Sequence, residues 1–213
     1  MKFKDRRDAG QQLADKLSEY REEPGLLVIG LPRGGVPVAL EIATALRGEL
    51  DVMLVRKIGL PWHPELAAGA VASGGTQIFN EDVIEGSGVT DSQLQPVIDR
   101  ELKELERREH LFRGDREPLD ASGRHVIVVD DGLATGATMT AALKALQAMH
   151  PRRLTVAVPV ASTDALKRIH FLVDETICVH EPSNLQSVGE WYDNFTQVED
   201  KDVQQLLAWE MKP

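Results

Sequence analysis

Residues 126–138, Val-Ile-Val-Val-Asp-Asp-Gly-Leu-Ala-Thr-Gly-Ala-Thr, constrain this fold more than any other stretch. Four consecutive β-branched apolar residues leave no polar face, so 126–129 predicts a strand buried on both sides, as in a parallel sheet. Residues 139–149 carry Ala141, Leu143, Ala145, Leu146 and Ala148 and predict a helix. Between them Asp130 and Asp131 stand at the strand's C-terminal end, where open α/β sheets bind their ligands. Loop amides at a helix N-terminus face an anion, and Thr135 and Thr138 add hydroxyl donors. Amides for a phosphate beside acids for hydroxyl groups suit a sugar phosphate. The alternative is that Asp and Thr merely cap the helix. The turn lacks a Lys after its Gly, and its acids precede the loop, so it is not the Walker A pattern.

Patterning elsewhere continues the alternation. Ala9, Leu13, Leu17 and Tyr20 form a helical stripe over 5–20. Residues 26–30 predict a strand, 36–46 a helix and 51–55 a strand, while 67–72 and 77–79 predict a hairpin across Ser73-Gly74-Gly75. Thr90 and Gln93 form a capping box that opens a long helix. Leu94, Val97, Ile98, Leu102, Leu105 and Phe112 mark its apolar face; Glu101, Lys103, Glu104, Glu106 and Arg107 mark a face expected to be solvated. A strand at 154–160, a helix at 163–171, a strand at 175–179 and an amphipathic helix at 200–209 follow. Strands alternating with helices predict an α/β fold: a central, mostly parallel sheet flanked by helices. No internal repeat, low-complexity segment or linker divides the chain.

Composition excludes several classes. A formal charge of −10 argues against a nucleic-acid-binding surface, which needs clustered Lys and Arg. Cys178 is the only cysteine and lies in the apolar run Thr176-Ile177-Cys178-Val179, so it reads as a small core residue. No apolar stretch approaches the roughly 18 residues of a membrane span, and the polar start at 1–10 is no secretory signal. The expected location is cytoplasmic.

Three more loops carry ligand-binding chemistry. Arg33-Gly34-Gly35 follows the first strand; the glycines let backbone approach an anion and Arg33 supplies a forked cation, though a simple turn has the same composition. Arg56 and Lys57 stand at the expected end of the next strand, before a loop holding Gly59, Pro61, His63 and Pro64. They are either a cationic loop base or solvated charges. Residues 187–195 hold Trp191, Tyr192 and Phe195, whose rings either stack a nucleobase or form the core of a small cap.

The 126–138 stretch resembles the phosphoribosyl pyrophosphate (PRPP) motif of type I phosphoribosyltransferases, and Arg33-Gly34-Gly35 resembles their pyrophosphate loop. The resemblance covers most of residues 26–195 and is nearest to bacterial phosphoribosyltransferase-like proteins with no assigned acceptor. It implies that Asp130 and Asp131 hold the ribose hydroxyls and that Ala134, Thr135, Gly136, Ala137 and Thr138 bind the 5-phosphate. Arg33, Gly34 and Gly35 would bind pyrophosphate, with a cis peptide between Pro32 and Arg33. Arg56 and Lys57, joined by His63, would begin a mobile loop that closes over it. The implied catalytic set is Asp130, Asp131, Arg56 and Lys57. Trp191, Tyr192 and Phe195 would face the acceptor from a C-terminal hood at about 180–213, and 80–122 would be a helical insertion in one domain spanning 1–213. Mg²⁺ would be held mainly through PRPP, with Asp130 and Asp131 as further donors.

The implied reaction is transfer of a 5-phosphoribosyl group to a nucleobase or other nitrogen nucleophile, with release of pyrophosphate, in nucleotide metabolism. Ala134 stands where 6-oxopurine enzymes of the family carry an acid, which disfavours hypoxanthine and guanine. The expected partners are PRPP and a small-molecule acceptor, with no nucleic acid and no membrane, in a candidate homodimer. The alternative is a non-catalytic protein that senses PRPP or a nucleotide.

Overall fold

The computed structural model describes residues 2–209. Met1 and the last four residues of the expected hood lie outside them. The chain opens with α1 (Arg6–Lys16), β1 (Leu27–Gly30), α2 (Gly35–Leu46) and β2 (Glu49–Val52). A hairpin region follows as β3 (Val55–Leu60), β4 (His63–Ala72) and β5 (Thr76–Phe79), then α3 (Glu81–Ser87) and α4 (Asp91–Arg113). The alternation resumes with β6 (His125–Val129), α5 (Ala137–Ala148), β7 (Arg153–Val160), α6 (Thr163–Ile169) and β8 (Glu175–His180), before α7 (Asp200–Trp209).

Five strands form an all-parallel sheet in the order β2-β1-β6-β7-β8, with β6 in the centre. Every residue of β1 and β6 is buried, as their unbroken apolar runs require. Successive side chains point to opposite faces. Val28, Ile127 and Val129 pack with α2, α4 and α7 on one side. Leu27, Ile29, Val126, Val128 and Val158 pack with α5 and α6 on the other. Each such side chain contributes about 1.5–3 kcal/mol on leaving water, so both faces are fixed firmly. Cys178 packs at the edge of the second core and donates to the His180 carbonyl at 3.2 Å; burial pushes its thiol up to about 11.

Two local expectations are corrected. The strand expected at 51–55 breaks at residues 53–54, and Arg56 and Lys57 stand on β3 rather than in a loop. The cause is a change of partner. Asp51 is drawn into a buried ion pair with Arg113 (2.8 Å), and the Leu54 N–H donates to Ser73 Oγ (2.9 Å). The chain therefore leaves the parallel sheet and enters an antiparallel one, β3-β4-β5, whose last turn at 73–75 is the expected hairpin turn. The second correction concerns Glu101. Instead of facing solvent it is only 7% exposed, because β3 packs on α4 and brings Arg56 against it. The capping box at the start of α4 forms as expected, with the Thr90 N–H donating to Gln93 Oε1 at 2.9 Å.

Among the described residues, no helix is long and apolar enough to cross a membrane.

Candidate active site

The site follows from the order of the strands. From β1 the chain steps outward to β2, and from β6 it steps the other way to β7 and β8. After β1, α2 covers one face; after β6, α5 covers the other. The loops leaving β1 and β6 thus diverge above a crevice at the sheet's C-terminal edge, the switch point where such sheets bind ligands. Gly30 pairs with Val129, so both loops begin at the same height.

Asp130 and Asp131 emerge there, half-buried. The Asp131 N–H donates to Asp130 Oδ1 at 2.9 Å. Burial pushes the Asp130 carboxyl well above its usual range, and the neighbouring Asp131 charge pushes it further. Burial also raises Asp131, but the Arg6 guanidinium opposes that rise. Arg6 Nη2 lies 2.8 Å from Asp131 Oδ2, so the negative charge of the pair is best held on Asp131.

The loop after β1 packs directly on this pair. A Cβ on Gly34 would come within 1.9 Å of Asp131 Oδ2, and one on Gly35 within 2.6 Å of the Val129 carbonyl. Only glycine permits that approach. The peptide between Pro32 and Arg33 is cis, as expected. The Gly35 N–H is occupied by the Leu31 carbonyl (3.0 Å), whereas the Arg33 and Gly34 N–H groups have no partner among the described residues. Arg33 is partly exposed and reaches Asp200 only at 3.8 Å.

The loop after Asp131 is pinned to β7. Leu133 N–H donates to the Val160 carbonyl (2.8 Å), Ser162 N–H donates back to Leu133 (2.9 Å), and Ser162 Oγ donates to Ala134 O (2.8 Å). Gly136 has φ +73°, a left-handed turn at the mouth of α5. The N–H groups of Thr135, Gly136 and Thr138 have no partner among the described residues, and Ala137 N–H meets only Thr135 Oγ1 at 3.5 Å. Unpaired amides at a helix N-terminus form an anion cradle. Ala134, Thr135, Ala137 and Thr138 are all exposed.

The other expected site residues divide: among the described residues Arg56, Lys57 and His63 make no bond to the 130–138 loop, whereas Tyr192 does. Arg56 Nε and Nη2 donate to Glu101 Oε2 at 3.0 and 2.7 Å, and Lys57 Nζ lies 3.4 Å from Glu65. Neither bonds to the 130–138 loop among the described residues. His63 begins β4 and is exposed. Tyr192 is buried between Phe3 and Phe195, and its hydroxyl donates to the Asp131 carbonyl at 2.7 Å; burial pushes that hydroxyl's pKa up. Trp191 packs on His180 at 5.2 Å. Phe195 has Tyr192 at 5.0 Å and Arg6 at 4.0 Å, and is 38% exposed.

Sequence reasoning missed Arg6 and Ser162. Ser162 carries a readable signal, since Ser before 163–169 is a natural N-cap and its Oγ accepts from Ala165 N–H (3.0 Å). Arg6 carries none, because its partner lies 125 positions away.

Residues 3–194 match the family described as the phosphoribosyl transferase domain. The crystal structure of TT1426 from Thermus thermophilus is similar to this chain with a TM-score of 0.85 at 42% identity, covering 97% of this chain and 98% of that one. A Mycobacterium tuberculosis H37Rv protein, provisionally named a phosphoribosyl transferase, is 42% identical over 205 residues, 96% of this chain and 46% of that protein. The chain therefore spans about half the length of the curated relatives it matches. Uracil phosphoribosyltransferase of Legionella pneumophila (strain Philadelphia 1) is 32% identical over 109 residues, 47% of this chain and 50% of that one.

Proposed function

The chain belongs to the phosphoribosyl transferase domain family, and from that premise we propose that it transfers a 5-phosphoribosyl group from PRPP to a nitrogen nucleophile, releasing pyrophosphate. One observation carries the reading. At the switch point of the sheet, an acid pair, a glycine backbone packed against it and a cradle of unpaired amides converge. The amides of 134–138 would take the 5-phosphate. Asp130 and Asp131 would accept hydrogen bonds from the ribose hydroxyls. The free N–H groups of Arg33 and Gly34 and the loosely held Arg33 side chain would face the departing pyrophosphate, and Arg56 and Lys57 would join them on leaving Glu101 and Glu65. Groups already aimed at the charge that develops on a leaving group do most to speed such a step.

Two adjacent carboxylates are hard oxygen donors and fit Mg²⁺. Mg²⁺ with a phosphorylated substrate keeps most of its shell as substrate oxygens and water, so one or two protein carboxylates would be enough. Bound with PRPP, it would neutralise pyrophosphate charge. The acceptor would enter beneath the 191–195 segment, beside Trp191 and Phe195. Tyr192 would serve by anchoring the Asp131 backbone.

The test is pyrophosphate release from PRPP, scanned across purines, pyrimidines and small amines, together with calorimetric titration of Mg-PRPP. Release with at least one acceptor is expected. Absence of both binding and release would overturn the reading. A second reading, a sensor that binds PRPP without transfer, is favoured by the engagement of Arg56 with Glu101 and of Lys57 with Glu65. Tight Mg-PRPP binding with no release across the whole acceptor panel would select it.

A further inference from the structure

A single guanidinium joins three parts of the chain beside the acid pair. Arg6 opens α1, and its Nε and Nη2 both point to Asp131 Oδ2, at 2.9 and 2.8 Å. Its Nη1 donates to the Thr196 carbonyl at 2.8 Å, and its Cζ stands 4.0 Å from the centre of the Phe195 ring. The side chain is nearly buried. The backbone around it is zipped. Phe3 N–H donates to Trp191 O (2.9 Å), Asp193 N–H to Phe3 O (2.8 Å) and Asn194 N–H to Lys4 O (2.9 Å). Tyr192 from the same segment holds the Asp131 carbonyl. Asp131 is therefore held at its carboxylate by Arg6 and at its carbonyl by Tyr192.

Arg6 occupies only one oxygen of that carboxylate. No other described residue donates a hydrogen bond to Asp131 Oδ1. We propose that Arg6 is a positioning residue for the transfer reaction, holding Asp131 by Oδ2 so that Oδ1 is presented to a ribose hydroxyl. The proposal rests on the PRPP reading above. It also makes the 192–196 segment part of the ribose site's scaffold, because the same guanidinium fixes Thr196 and Phe195. Lysine cannot replace it, since the role needs a planar fork with donors in two directions and a flat face for Phe195.

A double-mutant cycle between Arg6→Ala and Asp131→Asn tests this, read as Mg-PRPP affinity by calorimetric titration and as melting temperature. Arg6→Ala is expected to weaken Mg-PRPP binding about tenfold in the parent chain, the loss of a charged hydrogen bond. In the Asp131→Asn background the same change should cost little further affinity, while it still lowers the melting temperature. Arg6→Lys keeps the charge and should recover melting temperature more than affinity; it carries the cycle if Arg6→Ala does not fold. Additive affinity losses would overturn the role of Arg6 and leave the PRPP reading standing. A wild-type chain that takes up no Mg-PRPP would overturn both.

Discussion

The two ends of the parallel sheet are both rich in charge, yet they are built in opposite ways. At the N-terminal end the polar groups around His125 pair with one another. His125, fully buried at the start of β6, has Nδ1 2.7 Å from Glu23 and Nε2 3.0 Å from Thr155 Oγ1. Beside it Tyr20 donates to Glu175 (2.7 Å), Arg153 meets both, and Arg152 pairs with Glu23. Burial, helped by Glu175, pushes the Tyr20 hydroxyl up to about 12, so that hydroxyl does not titrate at ordinary pH. At the C-terminal end, two adjacent acids share one paired cation, Arg6 on Asp131, and loop amides stand open. Charge alone does not mark a site; unspent hydrogen-bonding capacity does.

The largest expected effect breaks the closed end. His125→Ala would leave a cavity, take the Thr155 hydroxyl's partner and leave Glu23 held by Arg152 alone, costing roughly 3–4 kcal/mol. In a chain of this size that lowers the melting temperature by about 10 °C. Mg-PRPP affinity, measured on the folded variant, should stay within error. A matching loss of affinity would mean that the two ends are not separable.

Gly34→Ala acts at the open end. The new Cβ would sit on the Asp131 carboxylate, so either the 31–35 loop or the carboxylate must move. Mg-PRPP affinity should fall by about two decades, the upper range for losing a charged hydrogen bond. Melting should change less than in His125→Ala, because the strained contact lies in a loop and not among the strands. Retained affinity would detach the glycine loop from the ligand.

How far this contrast could be read beforehand depended on distance along the chain. The strand, acids, turn and helix of 126–149 lie in one continuous stretch, and their local pattern placed them correctly. The same holds for the Thr90–Gln93 cap and the 73–75 turn. Glu101 failed because its burial is decided by β3, some 45 residues earlier, which delivers Arg56 to it. The strand at 55–60 failed because a buried ion pair at Asp51 and a hydroxyl from Ser73 redirect the chain. Arg6 was illegible for the same reason on a longer scale. The aromatic segment divided evenly between packing and stacking, and Tyr192, buried and hydrogen-bonded to Asp131, shows a third use: supporting the site from behind.

The smallest expected effect sharpens the contrast most directly, because it asks whether the open end is held at a cost in stability. Asp130 has its folded pKa above the ordinary value of 3.8, chiefly through burial and then through Asp131. In the window that opens near 3.8, the folded chain binds more protons than the unfolded one. Its contribution is therefore full below that window and is lost as pH rises through it, so this group makes the protein less stable toward neutrality. Asp130→Asn keeps the shape and an oxygen to accept from the Asp131 N–H, but carries no charge to desolvate. Without ligand the variant should melt higher at pH 7, by roughly the 2–4 °C that 1 kcal/mol is worth in a domain of this size. That gain should shrink as pH falls toward the ordinary carboxyl range, while Mg-PRPP binding at pH 7 is weakened. Thermal unfolding across pH 4–7 with paired titrations decides it. A variant that melts lower at pH 7, or whose advantage does not change with pH, would show that Asp130 is a supporting residue like those around His125, and that the two ends differ only in geometry.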